Sequence, residues 1–573
     1  MAASGGFVNR AVQGLQGINL NGQGRLYYGI NAADRGLGYR GSYMTLGGYF
    51  PTVEDDLGGL WAADVRSHLS NYGGFFSNVG AVRKQLLGGG SLLGVGVYWD
   101  YDGDQNQYSD QLIGTIDPVL FPGGFSYNQV GISGELLTDW GNIRSNGYIP
   151  VGSTGQSTGH FASTNILCVQ GINAALGGAD LEVGAYLPGL ADWSGMINVG
   201  GYTYGNTLYQ LDTGANLVPF FGGVFTRIDL TFAQNWDFSL QYNNDSYFDS
   251  TGFARLTYRL GGSRRRNVPD QMEQPMMRNE HIVRAHQNAE LAINPITGQP
   301  WRVIHVDNTA TGTQTGSIAN PVKTLGGEDI PPATVPLGPS AETIATQEFD
   351  IIFVHSSGTA YSNPPATTSP PAAVLPNPNM FTFQASNQYL IGEGSDLTIP
   401  TLNCGNVTVS TRVDPSLYPV LSPRANNTAV AIPAALGNEF VSGFVINASG
   451  AGITSASNSG RNIFTDLTLN GGSTGISISG SADYEISQVD FTNQTGIGIE
   501  NSAAGTIQLT NATFTGVAGT GIETTNGTMN VNNVTINFFR HCTFGKPDLR
   551  SEFVFIHPRA FNNANLLSGV MVK

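Results

Sequence analysis

Between residues 24 and 262, apolar and polar residues alternate in short segments. In 236–243, Trp236, Phe238, Leu240 and Tyr242 take one face, and Asp237, Ser239, Gln241 and Asn243 take the other. In 254–260, Ala254, Leu256, Tyr258 and Leu260 oppose Arg255, Thr257 and Arg259. A period of two is the signature of a β-strand. Twelve segments follow this rule: 24–33, 60–70, 74–84, 91–101, 124–137, 141–150, 164–173, 180–187, 193–204, 217–232, 234–244 and 251–261. A tyrosine- and glycine-rich stretch at 34–56 reads as a long loop or an extra strand. A soluble sandwich also has an apolar face, so the polar face is the informative one. It carries Arg66, Glu135, Glu182, Arg227, Asp229, Arg255 and Arg259 on successive segments, as the lumen of a barrel in lipid does. Closing an even number of strands removes the sheet edges, which is obligatory in a bilayer. Trp99, Trp140, Trp193 and Trp236 lie near segment ends, where aromatic girdles form.

The pattern stops at Ser263. Residues 263–300 read as a linker, with Pro269 and Pro275 interrupting any helix before about 276, and Met276–Leu291 able to hold a short one. Buried-strand runs then appear at Trp301–Asp307 and Asp350–His355, among proline-rich loops such as 363–378. A repeat follows. The triplets Phe444-Val-Ile446, Leu467-Thr-Leu469, Val489-Asp-Phe491, Ala512-Thr-Phe514 and Val534-Thr-Ile536 start 23, 22, 23 and 22 residues apart. Gly452-Ile453, Gly475-Ile476, Gly496-Ile497 and Gly521-Ile522 mark a second register in the same coils. Short strands recurring at this period stack as a parallel β-helix over 301–536. After Ile536 the repeat fails, and 537–573 reads as an irregular cap or an altered tail.

Composition narrows the functional classes. Charged residues make up 12% of the chain, while the mean hydropathy is only −0.08. Glycine, Asn, Thr and Ser fill the gap, a mix suited to turns and stacked strands. No segment is long and apolar enough for a membrane-spanning helix, whereas barrel strands need only about 10 alternating residues. The net charge of −16 argues against nucleic acid as a partner. Three cysteines, Cys168, Cys404 and Cys542, are far apart and odd in number, which predicts neither a disulfide framework nor a CxxC metal site. Met1-Ala-Ala-Ser-Gly-Gly6 has no basic region or apolar core of a secretory signal.

The run Phe125-Ser-Tyr-Asn-Gln-Val-Gly-Ile-Ser-Gly-Glu135, followed by Trp140-Gly-Asn-Ile-Arg-Ser-Asn-Gly-Tyr-Ile-Pro150, resembles a strand pair of the inverse autotransporters of the intimin/invasin type. The family's Arg-x-Asn-x-Tyr-x-Pro core falls on Arg144, Asn146, Tyr148 and Pro150. Glu182-Val-Gly-Ala-Tyr-Leu-Pro188 and Asn244-Asp-Ser-Tyr-Phe248 match further, and the resemblance covers about 24–290. It implies a 12-stranded outer-membrane barrel that carries a C-terminal passenger to the cell surface. Arg144 and Asn146 then join the lumen-facing set. It also implies a linker through the pore, here 263–290, with Arg264, Arg265 and Arg266 expected to pair with Glu135, Glu182 or Asp229. Two departures stand out: no LysM-like segment precedes the barrel, and the passenger is a β-helix, not a string of immunoglobulin-like domains.

The chain carries no HExxH, CxxC, Walker A or GxSxG motif. Within the repeat, Asp466, Asp483, Glu485, Asp490, Glu500 and Glu523 are the acidic residues. Asp466 and Asp490 sit beside triplets of successive coils, where two carboxylates can serve a glycosidase, although turn-capping is the commoner role. Asp100-Tyr-Asp-Gly-Asp104 resembles the start of a calcium loop, but its glycine is displaced and position 12 is Leu112. Asn406-Val-Thr408 and Asn533-Val-Thr535 read as turn and ladder residues rather than glycosylation sites.

The expectation is an all-β chain: a 12-stranded antiparallel transmembrane barrel followed by a right-handed parallel β-helix. It is expected to anchor and display, not to catalyse, with no cofactor or metal. The expected partners are outer-membrane lipid, the host's barrel-assembly machinery and a carbohydrate or surface-protein ligand. The alternatives are a soluble polysaccharide-active enzyme built from a β-sandwich and a β-helix, and a porin with an accessory domain.

Overall fold

The computed structural model describes residues 25–554, except 38, 72, 88–89, 104–125, 206–219, 233–234, 261–267, 288, 327–338, 363–378, 410–413 and 538–549. The chain divides into two compact units. One comprises residues 1–158 and 170–289; the other comprises 159–169 and 290–573.

In the first unit, 12 antiparallel strands close into a barrel. In chain order they begin with β1 (Arg25–Gly36), β2 (Tyr39–Glu54), β3 (Gly59–Ser70), β4 (Phe75–Leu87), β5 (Ser91–Asp102), β6 (Tyr127–Leu137) and β7 (Gly141–Val151). Four short strands then fall in one long connection: β8 (Gly155–Ser157), β9 (Phe161–Ala162), β10 (Asn165–Val169) and β11 (Ile172–Ala175). The barrel resumes with β12 (Gly177–Tyr186), β13 (Met196–Gly205), β14 (Phe221–Phe232), β15 (Trp236–Asp245) and β16 (Asp249–Leu260). Strand β16 closes on β1, with Tyr28 opposite Tyr258.

Alternation decides which side chains face out. Along β5, Leu93, Val95, Val97 and Trp99 are 41–56% exposed, while Tyr98, Asp100 and Asp102 are at most 2% exposed. The outer wall therefore carries the apolar residues and the inner wall the charged ones, the reverse of a soluble protein. Glycines opposite inward aromatics let the rings lie on the wall: a Cβ on Gly80 would stand 2.3 Å from the Tyr98 ring. Connections at one end are short (55–58, 138–140, 187–195). At the other end they include 103–126, 152–176 and 206–220.

The strand count matches the sequence reading; one open alternative is decided and one assignment changes. Of the two readings open for 34–56, the extra strand holds: Tyr39–Glu54 is barrel strand β2, pairing with β1 and β3. Its glycines blur the hydropathy signal, yet Tyr43, Thr45 and Tyr49 face inward, with Met44 and Leu46 outward. Conversely, 164–173 is not a barrel strand. Residues 165–169 pair with Phe161–Ala162 and Glu290–Leu291 in the second unit.

The second unit is a parallel β-solenoid of about five turns. One sheet stacks Phe440–Ala448, Arg461–Gly471, Asp483–Thr492, Thr506–Thr515 and Thr528–Asn537; a second stacks Ala451–Ser455, Thr474–Ile478, Ile497–Asn501 and Ile522–Thr524. Triplet residues meet in register, Ile446 on Leu469, Phe491, Phe514 and Ile536. Their side chains form one buried column, with Phe491 and Phe514 stacked at 4.5 Å. Just before each triplet the backbone turns through a positive φ, at Gly443, Asp466, Gln488, Asn511 and Asn533. Short amide side chains tolerate that corner, and Asn533 Nδ2 donates to Asn511 Oδ1 at 2.5 Å, one rung of an amide ladder. Past Ile536 the backbone pairing continues, because Arg550–Val554 adds a strand beside Thr528–Asn537.

Candidate functional site

The interior of the barrel is built from charged wall residues and from the segment that follows β16. Arg144 bridges Glu135 on β6 (3.3 Å) and Glu182 on β12 (2.7 Å). Arg227 on β14 reaches Glu182 (2.8 Å) and Asp229 (3.0 Å). Lys84 on β4 completes this band by pairing with Glu135 at 2.7 Å. Asn146 donates to Asp180, and Arg259 pairs with Asp237. Arg66 binds Asp64, and Arg255 binds Glu280 of the linker. All nine residues expected in the lumen thus lie on inner-wall positions, buried or, for Arg255, nearly so. In each ion pair a carboxylate meets a guanidinium or ammonium group, which offsets the cost of burying both charges.

The linker crosses the lumen from the short-turn end to the long-connection end. Val268 and Met272 pack on Leu92 and Leu137, where β5 begins and β6 ends. Pro269–Glu273 is a short 3-10 turn, and Glu273 pairs with Arg25 at the start of β1. Lys84 Nζ donates to the carbonyls of Gln271 (3.0 Å) and Gln274 (2.7 Å). Higher up, Met276 packs among Tyr49, Ala62, Val82 and Tyr98. Arg278 makes a two-pronged pair with Asp100 on β5 and lies over the Tyr98 ring at 4.2 Å. A Cβ on Gly131 would stand 2.2 Å from Arg278 Nη2, so glycine there makes room for the guanidinium. Glu280 pairs with Arg66 and Arg255, and its carbonyl accepts from Asn78. Finally Arg284 reaches Asp102, and Arg284–Gln287 pairs antiparallel with β11.

Some sequence expectations are corrected here, and one falls outside the described residues. Arg264, Arg265 and Arg266 lie outside the described residues. Their expected partners Glu135, Glu182 and Asp229 are occupied by Lys84, Arg144 and Arg227 on the wall. Among the described residues, the linker is anchored by Glu273, Arg278, Glu280 and Arg284, which the sequence analysis does not single out. Their signal was the charge spacing in Arg278-Asn-Glu280, flanked by Met277 and Ile282. Among the described residues of 276–291 no helix forms, because wall groups take the backbone partners: Met276 O accepts from Arg66 and Asn279 N donates to Tyr148 Oη. Asp100 and Asp102 are strand residues paired with linker arginines; Asp104 lies outside the described residues.

The linker leaves two cavities beside it. One is lined by Arg25, Asp237, Arg255, Arg259 and Glu273. The other is lined by Asp180, Glu182, Tyr202, Arg227 and Asn243.

In the second unit, Asp466 and Asp490 do not form a pair on one column. Asp466 occupies the positive-φ corner and accepts from Ser442 Oγ at 3.4 Å, whereas Asp490 aligns with Thr468 and Thr513. Arg461 pairs with Glu485, Asp483 accepts from the Thr506 amide and Glu500 from Ser477. Glu500 and Glu523 align on adjacent rungs. The structure also joins Cys168 to Cys404 in a disulfide, with Cα atoms 6.1 Å apart and a sequence separation of 236. The sequence reading expected no such bond, since spacing cannot show that 159–169 folds into the solenoid unit.

No protein-family model matches the chain, and no curated protein matches it. Among solved structures, the chain resembles the KdgM porin in complex with disordered oligogalacturonate (9% identity, TM-score 0.24, over 41% of this chain and 98% of that one). An outer membrane channel from Pseudomonas putida F1 aligns at 13% identity and TM-score 0.27, over 41% and 94%. The outer membrane phospholipase A from Escherichia coli aligns at 12% and 0.23, over 42% and 96%. At such scores none of these likenesses bears on what this barrel does.

Proposed function

We propose that the chain is an outer-membrane anchor and translocator that displays its β-solenoid at the cell surface, in the manner of an inverse autotransporter. The observation that carries this reading is the path of the linker. It enters the lumen at the short-turn end, where β16 finishes, and leaves at the end with long connections. In outer-membrane barrels the short turns face the periplasm and the long loops face outward. A chain threaded in that sense delivers whatever follows it to the outside.

The outer wall supports the membrane assignment. Ile30, Val79, Val97, Ile132, Val183, Val199 and Leu240 are 49–56% exposed around the barrel. In water such a belt would be an aggregation surface; in lipid it is the required solvent match. Trp61, Trp140, Trp193 and Trp236 ring the short-turn end, and Phe75, Trp99 and Phe220 lie toward the other. On this reading the partners of the first unit are lipid and the assembly machinery of the outer membrane.

Adhesion is the role assigned to the displayed unit. Its stacked coils present columns of short polar side chains, for example Thr465, Ser487, Thr510 and Asn532, in parallel register. Regularly spaced hydroxyls and amides suit a carbohydrate chain or a polar protein surface.

Surface labelling tests the proposal. The chain would be given a signal peptide and an epitope tag in the proline-rich stretch 363–378, then probed with antibody on intact Gram-negative cells. Labelling of intact cells supports display. A tag reached only after lysis, with the protein in the soluble fraction, overturns it.

A further inference from the structure

We propose that the Cys168–Cys404 disulfide is a lock that fixes the linker in the lumen by tying its exported end back to the barrel's own loop. Three observations lead there. Cys168 belongs to the connection 152–176, which is continuous in sequence with β7 on one side and β12 on the other. Residues 159–169 nevertheless fold with the solenoid unit. Val303 N donates to Thr164 O at 2.7 Å, Ala292 N donates to Ile166 O at 2.9 Å, and Ile166 packs with Trp301, Val303 and Ile399. The segment thus caps the first coil, a position that solenoids protect with atypical sequence. Third, Cys404 lies beyond the linker in the chain, so the bond closes a ring of barrel strands β12–β16, linker and first coils.

That ring has a topological consequence. At its lower end the linker is peptide-bonded to β16. At its upper end it continues to Cys404, which is bonded to the loop between β7 and β12. A segment fixed at both ends to the wall that surrounds it cannot be drawn out of the lumen in either direction, even when the solenoid is unfolded or cut beyond residue 404. Closure takes two thiols to one S–S bond. The thiolate of one cysteine attacks a disulfide oxidant, and the second displaces the mixed disulfide; the two thiol protons end on the oxidant, which leaves as its dithiol. The direction of locking rests on the display reading: Cys404 meets Cys168 only after it has crossed to the long-connection side.

The same place offers a competing chemistry. One ligand atom each from Cys168, Glu290 and Cys404 lies within 4.8 Å of the others, so the reduced pair could hold a soft cation.

The test uses the full chain with a signal peptide, Cys542→Ser to leave one cysteine pair, and a protease site inserted in 363–378. Intact cells are treated with the protease, then denatured in alkylating detergent. The expected result is a single full-length species without reductant and two pieces with it, and two pieces without reductant when Cys168→Ser is added. Two pieces from the parent without reductant, with both thiols alkylated, overturn the lock. Thiols that become alkylated only after a chelator is added also overturn it, in favour of a bound cation. If the protease cuts only after lysis, the display reading fails, while the gel still reports whether the bond exists.

Discussion

Arg278 of the linker and Asp100 of β5 face each other as a fork on a fork, Nη1 to Oδ1 at 2.5 Å and Nη2 to Oδ2 at 2.6 Å, with both side chains at most 1% exposed. A planar guanidinium reading a carboxylate in this way fixes position as well as charge. It sits toward the long-connection end of β5, with Met276 before it and Glu280 after it along the linker.

Arg278→Ala leaves Asp100 buried without its cation, and breaking such a pair costs about 3–5 kcal/mol. The linker should loosen and the barrel should conduct. In planar bilayers the parent is expected to show a small, steady conductance through the cavities beside the linker, and the variant larger and noisier openings. Exchanging the pair, Arg278→Asp with Asp100→Arg, should recover part of the quiet state. Equal conductance in all three proteins would mean that the pair does not hold the linker.

Val97 is 56% exposed in the middle of β5, on the outer wall. Val97→Arg places a charge at lipid depth and is expected to lower folding stability in vesicles by about 2–4 kcal/mol. A soluble sandwich would lose almost nothing from a charge on a solvent-exposed strand face. Equilibrium folding into vesicles, followed by the gel shift between heated and unheated samples, separates the two.

Both architectures were legible because each writes a strict period into the sequence. Alternation survives in β15 and β16 because every second residue meets lipid. The 22- or 23-residue spacing survives because Phe444, Leu467, Val489 and Ala512 share one register. Strand β2 is only half legible, as loop or strand, for a local reason: Gly47 and Gly48 make room for the Tyr27 and Phe50 rings, and glycine carries no hydropathy signal. The lumen set could be read from alternation alone. Its partners could not, because a strand pattern says which face a residue takes but not which linker atom it meets. Arg264–Arg266 drew attention by charge density, whereas Arg278, Glu280 and Arg284 are single charges spread through an apolar stretch. The Cys168–Cys404 bond was hidden for the same reason: no period connects a barrel connection with a solenoid coil 236 residues away.

Glutamate 439 makes the solenoid sensitive to pH. It sits at the entrance of the strand Phe440–Ala448, fully buried, and its amide donates to Asn462 Oδ1 at 3.0 Å. Its neighbours on the stack are polar but uncharged: Gln388 below, and Asn462 then Tyr484 above. Burial without a cationic partner pushes its carboxyl from 4.5 up to about 7. In the folded chain this group therefore keeps its proton over a range where the unfolded chain has lost it. Below about 4.5 both states are protonated and the residue is neutral to stability. Between that value and 7 the folded state holds more protons, so stability falls as pH rises, and above 7 the full cost remains, on the order of 3 kcal/mol. Urea unfolding of the full chain, followed by fluorescence of the buried Trp301, should give a lower midpoint at pH 8 than at pH 5. Asp350, also pushed up by burial, to about 6, adds a smaller slope of the same sign. Glu439→Gln keeps the shape and removes the charge, so the variant should lose most of the pH dependence and be more stable than the parent at pH 8. A variant with the parent's slope would assign the titration to another group.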